Sequence, residues 1–226
     1  MLIALAAILL LGAILLPQVW VQHVFARHAH ERADIPGTGG ELARHLIERF
    51  KLDGVSVEQT EQGDHYDPAE KAVRLSSDNY AGRSLTAVAV AAHEVSHALQ
   101  DAYGERSFRV WQQLASLARV TDRMAGVFFI AAPFLAILAR TPLALVALIG
   151  AGIALLSVRV IVTLVSLPLE FDASFSKALP ILRQGSYVAD NDMPAVRSIL
   201  RAAAFTYLAA SLMSLVNLAR WVRMLR

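Results

Sequence analysis

The chain has 226 residues, a net charge of +2, 56% hydrophobic residues and no cysteine. Without thiols, disulfides, Cys nucleophiles and thiolate metal sites are excluded, so any metal must be held by His, carboxylate or water. No basic stripe with interleaved aromatics is present, which argues against nucleic acid as a partner, and so apolar a composition predicts an integral membrane protein.

In chain order, Leu2 to about Val21 is an uncharged run long enough to span a bilayer, for which about 20 helical residues suffice. It has neither a basic start nor a small-residue cleavage site, so it reads as an uncleaved anchor. Thr38-Gly39-Gly40-Glu41 has capping-box spacing ahead of Leu42, His45, Leu46 and Phe50, which predicts a helix from near Gly39 to Lys51 with His45 packed. Val55–Val57 and Ala72–Leu75 alternate like short strands, separated by a turn-rich stretch ending Tyr66-Asp67-Pro68. Ser84 can cap a helix free of Pro and Gly that reaches Asp101, and Arg106 to Arg123 reads as an amphipathic helix entering a second apolar run. That run, Met124 to Ala139, contains Pro133 and ends at a break over Arg140-Thr141-Pro142. A third runs from Leu143 to about Leu167, after which Pro168 can kink the chain into a new helix ending at Gly185, and a fourth from Ala202 to about Val222.

Within the Ser84 helix lies His93-Glu94-Val95-Ser96-His97. Histidines at i and i+4 share one helical face, so both imidazoles can reach one ion, and the glutamate beside the first can reach a water on it. The chemistry implied is zinc-assisted peptide hydrolysis with Glu94 as general base. A catalytic zinc usually takes three protein ligands, and the candidate for the third is Glu170, in Leu167-Pro-Leu-Glu-Phe-Asp-Ala-Ser174. The alternative for Glu170 is an interfacial acid paired with Arg159 or Lys177. Two crossings between His97 and Glu170 would return the chain to the side it left, which this ligand set requires. Asp172 or Ser174 could hold the second ring nitrogen of a ligating histidine. His65, beside Asp64, Tyr66 and Asp67, invites a second metal or an oxyanion role, although turn chemistry accounts for it better. Arg159 could snorkel or pair with a carboxylate.

Asp64-His-Tyr-Asp-Pro68, Val73-Arg-Leu-Ser76 before Asn79-Tyr80, Ala89 to Gln100 around the two histidines, Leu167 to Ser174, and Ala202-Ala-Ala-Phe-Thr-Tyr207 together closely resemble the YugP-type membrane zinc metallopeptidases. The resemblance covers most of the chain. It implies a zincin-like membrane peptidase with one zinc per chain, His93, His97 and Glu170 as metal ligands and Glu94 as catalytic base. Substrates of zincins lie extended against an edge strand, for which Ala72, Val73, Arg74, Leu75 and Ser76 are the candidate, an ordinary sheet strand being the alternative.

The expected fold is mainly α and multi-pass, with about four transmembrane helices and a small α+β zincin-like catalytic region. Its parts would be an anchor over 1–22, a catalytic region over 23–122, a transmembrane hairpin over 123–168, the third-ligand segment over 169–191 and a last transmembrane helix over 192–226. The expected function is an endopeptidase at a bilayer surface, in a cell membrane, cleaving membrane or unfolded proteins. Arg27, Arg32, Arg119, Arg123, Lys177 and Arg183 outweigh Arg140, Arg220, Arg223 and Arg226 in placing the catalytic side towards the cytoplasm. A zinc-binding membrane scaffold or sensor without turnover, and an intramembrane protease, are the rival readings; the former would not require Glu94.

Overall fold

The computed structural model describes residues 2–139 and 141–224; Arg140, part of the expected break, lies outside them. The elements are α1 (Leu2–Arg27), α2 (Gly39–Arg49), β1 (Ser56–Gln59), β2 (His65–Asp67), β3 (Ala72–Leu75), α3 (Ser77–Ala81), α4 (Leu85–Ala102), α5 (Arg106–Ala139), α6 (Pro142–Phe171), a π-helical stretch (Asp172–Ala178), α7 (Leu179–Gln184), a 3₁₀ turn (Asp190–Asp192) and α8 (Met193–Met224). They divide into two compact units, one drawn from Val19–Arg109 and Leu167–Thr206, the other from Met1–Gln18, Val110–Ser166 and Tyr207–Arg226.

The first unit is organised around α4. Ser84 caps it, accepting a hydrogen bond from the Ala87 main chain at 3.1 Å, and every side chain from Leu85 to Gln100 is buried. Its apolar residues and its polar site residues alike are covered, because α4 is enclosed by α2, by α3 and β2–β3, and by the π-helical stretch with α7. The α2 start carries the expected capping box, Thr38 and Glu41 each bonding the other's main chain. Beyond it Gly39 admits no side chain: a Cβ there would lie 2.2 Å from Asn79 O and 2.7 Å from Ala87 O. Gly39→Ala is therefore expected to force α2 away from α3 and α4 and to destabilise the fold by about 2 kcal/mol, as overpacking does, read as a lower urea midpoint at unchanged slope.

The sheet has the order β1-β3-β2, β1 parallel and β2 antiparallel to β3, with Val57 and Tyr66 both opposite Val73. Two features differ from expectation. The stretch before Pro68, read as turn alone, contains β2, anchored by Asp64, whose carboxylate accepts from Ser76 N, Ser76 Oγ and Asn79 Nδ2 at 2.7–3.0 Å. His45 is exposed instead of packed, and its Nε2 meets the Tyr187 hydroxyl at 2.8 Å.

The second unit is built from stretches of α1, α5, α6 and α8 and leaves Met124, Val127, Ile130 and Phe134 exposed on α5. The expectation of a multi-pass membrane protein is corrected: among the described residues no helix is long and apolar enough to cross a membrane. With it go the transmembrane hairpin, the placement in a membrane and the inside–outside assignment. The apolar runs do not stand as separate spans but sit in helices shared with charge. The first half of α5 carries Arg106, Arg109, Arg119, Asp122 and Arg123, α6 carries Arg159, and α8 carries Arg197 and Arg201.

Candidate metal centre

The site lies wholly in the first unit. The period of α4 sets His93 and His97 on one face, ring centroids 4.8 Å apart. Opposite them stands Glu170, on the last turn of α6. Pro168 lies inside that helix without ending it; the helix widens only after Phe171, where the Leu179 N–H reaches back five residues to Ser174 O and Pro180 has no N–H to give. This stretch delivers Glu170 and Ser174 together against α4.

His93 Nε2 and His97 Nε2 lie 3.3 and 3.2 Å from the same Glu170 oxygen, and all three side chains are buried. Bonds of about 2.0–2.1 Å in tetrahedral array put ligand atoms about 3.3 Å apart; both His–Glu170 distances match that, and all three donor atoms lie within 4.8 Å of one another, so the set can hold one zinc. Among the described residues it is the one group of three or more candidate ligands close enough to share an ion. Lys177 is engaged by Asp172 and Glu105, not by Glu170, and the Arg159 side chain lies outside the described residues.

Each histidine is held through its other nitrogen. Ser174 Oγ donates to Leu200 O at 2.8 Å, which leaves its lone pair to accept from His93 Nδ1 at 3.0 Å. His97 Nδ1 meets Gln100 Oε1 at 2.8 Å. Asp172 touches neither histidine; its carboxylate accepts from Gln100 Nε2 at 2.9 Å and pairs with Lys177. Gln100 went unassigned in the sequence, although it lies one turn beyond His97 and two beyond His93 on the same face, which is the signal that could have found it.

Glu94 is buried beside the trio. Tyr66 gives it a main-chain hydrogen bond, while its Oε2 has no hydrogen-bond partner in the protein. Burial pushes its carboxyl up to about 8, with Asp64 and Glu170 adding to the rise and His97 opposing it. Burial would likewise raise Glu170, but the two imidazoles hold it down at about 2. Burial lowers His93; at His97 burial also pulls down, but Glu170, Glu94 and the Gln100 hydrogen bond together lift it to about 9. Without metal, then, the site keeps a proton on His97 that zinc must displace. The expected result is an apparent zinc affinity that falls at least tenfold per pH unit below 8, with more than one proton released per zinc at neutral pH, from His97 and from Glu94, measurable by calorimetry in buffers of different ionisation enthalpy. A pH-independent affinity over that range would contradict it.

The other candidates are not brought to this centre. His65 is on β2 with Nδ1 2.8 Å from Gly63 O, a local turn contact. Ala72–Leu75 form β3, the middle of the sheet, paired on both sides, so a strand from outside cannot add there; of the sheet's two edges, β2 is the one packed on α4.

A family model described as "Putative neutral zinc metallopeptidase" matches residues 1–226. The chain is 37% identical over 216 residues to a Bacillus subtilis (strain 168) protein named "Putative membrane protease YugP", covering 94% of this chain and 91% of that one. No solved structure matches it. The resemblance drawn from the motifs is thereby borne out, as is zinc as the metal.

Proposed function

Because the chain belongs to the neutral zinc metallopeptidase family that this model describes, we propose that it hydrolyses internal peptide bonds of extended, unfolded polypeptide segments, using His93, His97 and Glu170 to hold the metal and Glu94 to move the proton. The observation that carries this reading is Glu94 Oε2, a fully buried carboxylate oxygen with no donor. Leaving such an atom unpaired costs about 1–3 kcal/mol or more, and a protein that only stored or sensed zinc would gain by putting an apolar residue or a hydrogen-bonded amide there. A working base needs that oxygen free.

Zinc, when bound, lowers the pKa of a water towards neutrality and polarises the peptide carbonyl. Glu94 Oε2 accepts the proton given up by the water and passes it to the leaving amide nitrogen, so one carboxylate serves as base and then as acid. A cation nearby draws its pKa down from about 8, towards the range where both transfers run at neutral pH. The Glu170 charge offsets part of the metal's charge, and Ser174 keeps His93 in the tautomer whose Nε2 faces the site. The substrate lies against β2, because β2 is the edge strand that contacts α4 and its Tyr66 main chain reaches Glu94. An extended segment added there brings its carbonyls past the site one residue at a time.

The test is proteolysis of an unfolded model polypeptide by the purified full chain. Cleavage that stops on chelation and returns with zinc supports the reading. A zinc-loaded protein that binds the polypeptide and yields no fragments overturns it.

A further inference from the structure

The two histidines are oriented by different devices, and the one on His97 extends well beyond it. Ser174 fixes His93 within two short bonds that end on the main chain of α8. His97 depends on Gln100, which has no solvent exposure and whose amide makes three polar contacts that fix one orientation. The Gln100 Nε2 stands 2.9 Å from Asp172 Oδ2 and 3.2 Å from Leu169 O, and both are acceptors. Only the NH2 end can face them, so Oε1 is forced towards His97 Nδ1 at 2.8 Å. Asp172 stays an acceptor because Lys177 pairs with it, and Lys177 in turn bonds Glu105 Oε1 at 2.9 Å.

We propose that Gln100 is the positioning residue for His97: its amide, locked by Asp172 and Lys177, fixes the His97 ring and tautomer so that Nε2 points at the metal position. The inference rests on the reading of His93, His97 and Glu170 as the metal ligands. It ties a buried ligand to an ion group, Asp172, Lys177 and Glu105, that is partly exposed. A glutamine present only to satisfy Leu169 O and fill space would leave metal binding unchanged when replaced by an isosteric apolar residue.

The experiment measures zinc affinity and the visible spectrum of the cobalt(II)-substituted full chain. Gln100→Met keeps the volume but removes the acceptor; it is expected to weaken zinc roughly 10- to 100-fold, the usual cost of losing a histidine's outer partner, and to shift the cobalt bands. Asp172→Ala, at a partly exposed position, frees the amide to rotate and is expected to weaken zinc severalfold, which keeps the test open should Gln100→Met not fold. Wild-type affinity and spectrum in Gln100→Met, or in Asp172→Ala, would overturn the proposal. His97→Ala separates the two levels: if it binds zinc like wild type, the ligand reading itself fails, and the role of Gln100 with it.

Discussion

Glu94→Gln is expected to lower kcat for polypeptide cleavage by roughly 10²–10⁴-fold while the protein still holds its zinc. The amide matches the carboxylate in size and cannot take a proton, so the substitution removes the proposed chemistry and little else. Two measurements guard against misreading a folding defect. Zinc content should stay at one per chain, since Glu94 is not among the ligand trio. Stability of the metal-free protein should also respond in a definite direction. Glu94 titrates at about 8 in the fold against 4.5 as a model group, so its neutral form favours folding below pH 4.5 and that contribution is lost as pH rises through 8. The amide has no such loss, so metal-free Glu94→Gln should become more stable than wild type as the pH passes 8. A variant that is unstable at every pH, or that cuts as well as wild type, contradicts the assignment.

Glu170→Gln carries the second large effect, on the metal. If a zinc site with four ligands is worth about 10–16 kcal/mol, one charged ligand accounts for about 3 kcal/mol, so zinc should bind roughly a hundredfold more weakly, or worse. The same carboxylate partners His93 and His97 when metal is absent, and breaking a buried pair costs about 3 kcal/mol. That cost has a pH window. Glu170 is held at about 2 against 4.5, so its contribution is complete above pH 4.5 and lost as pH falls through 2. His97 is raised to about 9 against 6.5, so its contribution is complete below 6.5 and lost as pH rises through 9. Denaturant unfolding of the two metal-free proteins should therefore differ most between pH 4.5 and 6.5 and converge towards pH 9. A constant gap would point to a packing defect.

The candidate face of α4 was legible because its pattern is local: two histidines and a glutamate one turn apart, a Ser cap and no helix breaker. Glu170 was singled out as a carboxylate at the end of a long apolar run, with the return of the chain as a check, and the structure brings it within 3.3 Å of both histidines. The chain does return, leaving the first unit at Val110 and re-entering at Leu167, and the return needs no bilayer. Hydropathy misled for a physical reason: the runs read as spans lie in α1, α5, α6 and α8, and an apolar composition does not say whether lipid or protein covers a helix. Strand order was beyond reach as well. Three strands of three or four residues carry too little pattern to show that β3 is central and β2 an edge, and β2 hides in a stretch whose Asp and Pro read as turn. Gln100 had no assigned role, since a polar side chain at a helix end looks the same whether water or Asp172 receives it.

The most direct test of the account is anomalous diffraction at the zinc edge from crystals of the full chain. One peak per chain, bounded by His93 Nε2, His97 Nε2 and the Glu170 carboxylate with Glu94 beside it, is the predicted result. No peak there in zinc-saturated crystals, or one held by other residues, would contradict the ligand assignment and the mechanism built on it.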